Sequence, residues 1–371
     1  MNAGYRSTCT ALVSCLLLWA SSAQAELPVV LQGLGLRESP QPVRELPGWQ
    51  KPTKVVVRNL FNQDAASGLA ALFPGIEVVG VASVAEARKE VVDAQVLIGF
   101  CNQSIFDDAA RLSWVQVYFA GVENCVTTPS MQSGKLLLTN GQRLGSPTLA
   151  DHAVALMMAL SRGLAGSMRS QEAGKWQPNW GAAPPAFGEL SGRTMLVVGL
   201  GGLGGQAAKR AHGLGMRVIA TRGSRREGPE YVDYVGLSHE ALELAKQADV
   251  VVNAAPLTDS TRGMFNAEFF AAMKPGAYFV SVGRGQSTVT DDLIDALNSG
   301  QIAGAGLDVV DPEPLPDGHP LWSTPGVIIT PHVGGRSREA MQRVGALAAE
   351  NLRRYVAGEP LLSVVDIKRG Y

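Results

Sequence analysis

The run Val197-Val198-Gly199-Leu200-Gly201-Gly202-Leu203-Gly204 constrains the fold of this chain more than any other stretch. It is a GxGxxG set between an apolar strand, Thr194–Val198, and a small-residue helix expected over Gln206–Leu214. In such a strand-turn-helix unit Gly199 makes the tight turn, Gly201 lets a pyrophosphate approach the backbone, and Gly204 lets helix and strand pack closely. Gly202 and Leu203 belong to the same cofactor-binding set. With 42 Gly among 371 residues a bare match would carry little weight. Its setting between strand and helix is what makes it a dinucleotide signal.

Apolar β-branched runs alternate with longer stretches on both sides of this motif. The first series is Lys54–Arg58, Glu77–Val81, Ala94–Phe100, Val115–Ala120 and Leu136–Thr139. The second is Thr194–Val198, Arg217–Thr221, Val250–Ala254, Ala277–Val282, Gly304–Val309 and Val327–Thr330. Runs that are apolar on both faces fit parallel sheets covered by helices on each side, hence an α/β chain. Thr148 and Asp151 after Pro147 resemble a capping box and predict one helix to about Ala173. Trp176 and Trp180, around Pro178, read as packing or hinge residues. Ser337 to Ala357 reads as the last helix, stopped by Gly358 with Pro360 beyond.

The strand after a GxGxxG helix often ends in an acid that binds the adenosine ribose. Here it ends Thr221-Arg222-Gly223-Ser224-Arg225-Arg226. A carboxylate would repel a 2′-phosphate, whereas guanidiniums and a hydroxyl offer it charge-assisted hydrogen bonds. Arg222, Ser224 and Arg225 therefore predict NADP(H) in preference to NAD(H), the alternative being a solvated basic turn. Net charge is -1, so no excess of cations exists to neutralise a run of phosphates, and nucleic acid is excluded as a first reading.

Three further stretches carry a resemblance. They are Val282-Gly283-Arg284-Gly285, then Leu307-Asp308-Val309-Val310-Asp311-Pro312-Glu313-Pro314, then His319-Pro320-Leu321-Trp322 through Thr330-Pro331-His332-Val333-Gly334-Gly335. In order and spacing, with 29 residues from Arg284 to Glu313 and 19 from Glu313 to His332, they are similar to the D-isomer-specific 2-hydroxyacid dehydrogenases. The likeness covers most of residues 54 to 360 and is nearest to glyoxylate/hydroxypyruvate reductases of NADP type.

That resemblance implies two doubly wound domains, a Rossmann cofactor domain inserted into a flavodoxin-like substrate domain. Residues 147–330 would form the first, and 54–146 with 331–371 the second. It implies a hydride transfer between NAD(P)H and a small 2-keto acid, with His332 as general acid/base and Glu313 orienting its ring. Arg284 would anchor and polarise the substrate through two parallel hydrogen bonds. Gly121 and Val122, in Ala120-Gly121-Val122-Glu123-Asn124, match a loop whose backbone amides hold the substrate carboxylate. Asp308 matches a contact to the nicotinamide amide, and Ala255, Pro256 and Thr258 a loop around the cofactor, with Val282, Gly283, Arg284 and His332 beside it. The resemblance also implies a homodimer through the helix near Thr148. His152, His212, His239 and His319 lack a recurring ligand spacing, so no metal site is expected. Two other readings stay open: an NADP(H)-responsive binding protein without significant turnover, and a relative acting on an inorganic or one-carbon donor.

The chain departs from the family pattern at Arg222, where an acid is usual, and at its long N-terminal extension. Arg6, the apolar stretch Cys9 to Ala20 and Ala23-Gln24-Ala25 have the layout of a signal peptide over residues 1–25. No later segment has the length and apolarity of a membrane span. Residues 26–53 hold Pro28, Pro40, Pro42, Pro47 and Pro52 and read as an extended leader, wrapped on the surface or loose, with ordered structure from Lys54. The leader predicts an exported, periplasmic protein; the cofactor argues for the cytoplasm, with translation from a later start. Cys101 and Cys125 could pair in an oxidising compartment, with two free thiols as the simpler expectation.

Overall fold

The computed structural model describes residues 26–59, 64–176 and 188–370. The leader at residues 1–25, Pro178 and Trp180 lie outside the described residues. Trp176 is 98% exposed, so it packs against none of the described residues.

Two parallel sheets organise the chain. The first contains β1 (Lys54–Arg58), β2 (Glu77–Val81), β3 (Val96–Ile98), β4 (Trp114–Gln116) and β5 (Leu137–Thr139), in the order β2-β1-β3-β4-β5. This is the flavodoxin-like order. The second contains β6 (Thr194–Val198), β7 (Arg217–Arg222), β8 (Tyr234–Leu237), β9 (Val250–Asn253), β10 (Ala277–Ser281), β11 (Ile302–Leu307) and β12 (Val327–Ile329). Its order, β12-β11-β10-β9-β6-β7-β8, is that of a doubly wound nucleotide-binding sheet, with the switch point between β6 and β9. The expected two-sheet α/β architecture is borne out.

Sequence patterning located the central strands because both of their faces are covered; β6 and β9 are buried at every position. The strand it missed, β8, is a four-residue edge strand whose burial covers only its middle. The expected capping box also fails. Helix Ser146–Ser161 starts earlier, without a side-chain cap, because Thr148 Oγ1 bonds Ser337 Oγ at 2.9 Å and Asp151 takes Arg210 Nε at 2.6 Å. One helix to Ala173 becomes two, since Gly163 (φ 59°) turns the backbone left-handed before Leu164–Glu172. The last helix does run as expected: Ser337 Oγ caps Arg338–Ala357 through Ala340 N at 3.0 Å, and Gly358 (φ 72°) ends it.

Residues 26–53 are neither loose nor merely superficial. Leu31 is buried with Leu144, Leu347 and Leu362, and Val43 joins the core beneath β1 and β3. Glu38 makes an antiparallel bridge to Leu362, and Trp49 Nε1 donates to Tyr355 O at 3.2 Å. Ordered structure therefore begins well before Lys54, because a few leucines spaced along a Pro-rich strap find a ready apolar groove beside the last helix. Leu31→Ala should lower unfolding free energy by about 2–4 kcal/mol, as for other buried leucines. Chemical denaturation checks this, and a loss below about 0.5 kcal/mol, the size of an ordinary surface change, would mean the strap is not docked in solution.

Candidate active site

Three neighbouring strands bring their carboxyl ends together, and their backbone pairing continues past the strands. Asp308 N donates to Ser281 O at 3.0 Å, and His332 N donates to Asp308 O at 2.9 Å. This register sets the turn after β10, which carries Arg284, beside the segments after β11 and β12. A Cβ on Gly285 would overlap Val310 O, so the Arg284 turn packs directly on the segment leading to Glu313.

His332 has φ 52°, a left-handed conformation that costs energy for a residue other than glycine. Asp308 holds it there. Its carboxylate, 2% exposed, accepts from Val333 N at 3.0 Å and Gly334 N at 3.0 and 3.1 Å, and from Thr330 Oγ1 at 2.7 Å. His152 Nε2 bonds the same Thr330 hydroxyl at 2.8 Å. Asp308 thus spends its hydrogen-bonding capacity on the turn that aims His332. Sequence reading had given His152 no part in the site.

His332 Nδ1 lies 2.6 Å from Glu313 Oε1, with side chains 49% and 40% exposed. With Nδ1–H given to the carboxylate, Nε2 is the nitrogen left to exchange a proton. Arg284 donates from Nε to Glu123 Oε1 at 2.9 Å and from Nη1 to Gly283 O at 2.8 Å. Its Nη2 lies where a Cβ on Gly121 would have to be. Gly121 is therefore a glycine because the guanidinium of the other sheet's turn occupies its side-chain space. The Val122 side chain is buried in the first sheet's core. Glu123 lay inside the quoted loop, but only the structure shows that it faces Arg284.

Cys101 and Cys125 form a disulfide with Cα atoms 5.6 Å apart, which overturns the expectation of free thiols. They lie 24 positions apart in sequence, and the fold brings together the segment after β3 and the short helix Glu123–Val126.

On the cofactor side, Gly199 (φ 96°) meets the start of the β9 loop: an added Cβ would lie 2.7 Å from Ala255 Cα. A Cβ on Gly204 would overlap Gly199 O. Both glycines serve packing. Gly201 differs, since a Cβ there would meet nothing within 4 Å, leaving approach from the cleft as the use of its bare backbone. Gly202 packs under Arg143, and Leu203 packs into the core. Val282 is buried, and Gly283 lies against Ala255 O. Asn253, fully buried, accepts from Ala255 N at 3.2 Å, while Thr261 Oγ1 ties Pro256 O at 2.7 Å and Thr258 N at 2.8 Å. This fixes the loop facing the glycines.

Arg222 ends β7 half-buried, and its Nε is buried without a hydrogen-bond partner. Ser224 and Arg225 are exposed. Arg226 is withdrawn from the basic turn, since Glu240 takes it at 2.6 Å and Tyr234 shares the contact. Arg226, Tyr234 and Leu237 N together hold the Glu240 carboxyl down at about 2. The residues present fit a dinucleotide carrying negative charge: open backbone at Gly201, and an orphaned guanidinium nitrogen beside it.

Comparison with known proteins agrees. Residues 154–334 match the family described as D-isomer specific 2-hydroxyacid dehydrogenase, NAD binding domain. A glyoxylate reductase of Korarchaeum cryptofilum is 33% identical over 276 residues, 73% of this chain and 82% of that protein. This chain belongs to the D-isomer-specific 2-hydroxyacid dehydrogenase family. Among solved structures, a family member from Xanthobacter autotrophicus Py2 in complex with NADPH and MES is 29% identical with TM-score 0.72, covering 85% of this chain and 99% of that one. An NADPH-dependent glyoxylate/hydroxypyruvate reductase from Sinorhizobium meliloti, in complex with NADP and sulfate, is 26% identical with TM-score 0.74. That match covers 86% of this chain and 100% of that one. The protein is an NAD(P)-dependent dehydrogenase.

Gly121→Ala tests the contact between the two sheets. The new methyl must push Arg284 away, so kcat/KM for the keto acid should fall on the order of 100-fold, the scale of one lost stabilising donor. Cofactor affinity, measured by titration, should stay within about twofold, below 0.5 kcal/mol. Retained kcat/KM would show that Arg284 need not stay where the structure has it.

Proposed function

We propose that this enzyme reduces a small 2-keto acid to the D-2-hydroxy acid, using NADPH in preference to NADH, with glyoxylate or hydroxypyruvate as the substrate class. The reading is carried by the His332–Glu313 contact of 2.6 Å at the same sheet rim as Arg284. A bound reduced nicotinamide supplies the hydride, which goes to the keto carbon. His332 gives the carbonyl oxygen its proton from Nε2, and Glu313 fixes the tautomer and the direction of the ring. In the oxidative direction the neutral Nε2 takes the hydroxyl proton back.

Arg284 keeps Nε on Glu123 and presents Nη2, beside Gly121, to the substrate. The charge of the guanidinium offsets that of the developing alkoxide. Asp308 acts through the turn it braces. The names of the Korarchaeum and Sinorhizobium relatives support the substrate class, and the complexes with NADPH and NADP support the cofactor. A homodimer across helix Ser146–Ser161 is part of the same reading; Met158, Leu164 and Met168 leave apolar surface there and on the next helix.

Loss of reduced-nicotinamide absorbance with a panel of keto acids tests the reaction. Rapid loss with NADPH and glyoxylate or hydroxypyruvate is expected, and His332→Ala should lower kcat by about 10²–10⁴-fold while cofactor binding persists. Unchanged turnover in that variant would sink the mechanism. Cofactor binding without oxidation by any keto acid would favour the NADP(H)-responsive binding protein.

We also propose that residues 1–25 direct export. The disulfide supports this, because such bonds persist in oxidising compartments. Cell fractionation with an antibody against residues 26–371 should find the protein outside the cytoplasm; recovery in the cytoplasmic fraction alone would refute it.

A further inference from the structure

A cavity of ≈ 210 Å³ lies over Gly201 and Gly202, between Arg222 on one side and Arg143 with Gly33, Leu34 and Gly35 on the other. The second wall belongs to the N-terminal strap. Arg143 Nη1 donates to Leu34 O at 3.2 Å, which joins strap to cleft. Just beyond, the backbone of Arg37 is fixed: its carbonyl accepts from Ser363 N at 2.8 Å, and the next residue, Glu38, bridges Leu362. The Arg37 side chain remains exposed.

The charges around this cavity are one-sided. Burial, then the neighbouring Arg37, Arg222 and Arg225, push the Arg143 guanidinium below its ordinary value. Burial, Arg225 and Arg37 do the same to Arg222, while Glu227 and Tyr231 face it and partly compensate. Among the described residues, Arg37, Arg222 and Arg225 form no ion pair, whereas the adjacent Arg226 has Glu240. Like charges gathered at a cleft raise one another's energy, and the natural counter-ion is an anion of more than one charge. A phosphomonoester carries about -1.5 to -2 near neutrality, and an unphosphorylated ribose carries none.

We propose that the N-terminal strap is part of the cofactor site, with Gly33–Arg37 closing its adenosine end and Arg37 joining Arg143, Arg222 and Arg225 as a receptor for the 2′-phosphate of NADP(H). This rests on the NADP(H) reading above. Segment 26–53 then acts in cofactor selection, a use that its composition did not disclose. Leu31, Leu36 and the Glu38 bridge anchor its backbone, so the strap does not have to be ordered before Arg37 can turn to the phosphate.

Calorimetric titration of residues 26–371 with NADPH, NADH and 2′,5′-ADP tests the proposal without turnover. Arg37→Ala should weaken NADPH and 2′,5′-ADP by about 5–20-fold and NADH by less than about twofold, as expected for one charge-assisted contact. Arg37→Lys should recover most of the loss, and an unchanged denaturation midpoint would exclude a folding defect. An unmodified chain that prefers NADPH, with all three affinities unaltered in Arg37→Ala, would overturn the inference and leave the NADP(H) reading standing. Equal losses for NADPH and NADH would place Arg37 on the pyrophosphate and overturn its assignment to the 2′-phosphate. Equal affinity of the unmodified chain for both cofactors would overturn the NADP(H) reading and this inference with it.

Discussion

The buried carboxylate of Asp308 is the constraint on which the rim of the candidate site depends. It lies where β11 ends, and it receives backbone N–H groups from the turn that follows β12. Without it those donors would be buried and unpaired, at a cost of about 1–3 kcal/mol each, and His332 would have little reason to keep a left-handed backbone. The ring therefore reaches Glu313 because the sheet, through Asp308, dictates where the turn goes. Thr330 and His152 extend the same network into helix Ser146–Ser161, so the turn that carries His332 is tied to the helix that follows the first sheet in the chain.

A second dependence runs between the sheets. Arg284 comes from the turn after β10, yet its guanidinium is seated by Gly121 and Glu123 from the other sheet. The disulfide fastens the helix that begins at Glu123 to the end of β3. Oxidation in the first sheet thus limits the freedom of the carboxylate that orients Arg284. The strap makes a further tie, since it packs on the last helix and reaches Arg143.

Legibility in the sequence follows how local the cause is. The glycines of the GxGxxG set, the central strands and the Ser337 and Gly358 signals at the last helix all express backbone requirements within a few residues. Arg284, Glu313 and His332 are singled out through motif order, and the structure brings Glu313 and His332 into contact. The misses share a different character. Glu123 facing Arg284, Arg226 drawn off by Glu240, and Thr148 taken by Ser337 are pairings across 161, 14 and 189 residues, decided by the packing of whole elements. The strap was misread because proline content argued against regular structure, while its burial needs only Leu31 and Val43 at the right places.

The two anion-binding faces of the cleft solve the same electrostatic problem in opposite ways. Arg284, the proposed substrate anchor, has Glu123 as a resident partner, so its charge is balanced and its direction set in the free protein. Around Gly201 the described residues supply no such ion pair, Glu227 and Tyr231 compensate Arg222 only in part, and on the proposed reading the 2′-phosphate relieves the cost of gathering arginines. A site of the first kind favours geometry, and one of the second favours affinity and discrimination by charge. Those are the separate demands that the proposed function makes, of a reacting keto acid and of a cofactor told from its unphosphorylated twin.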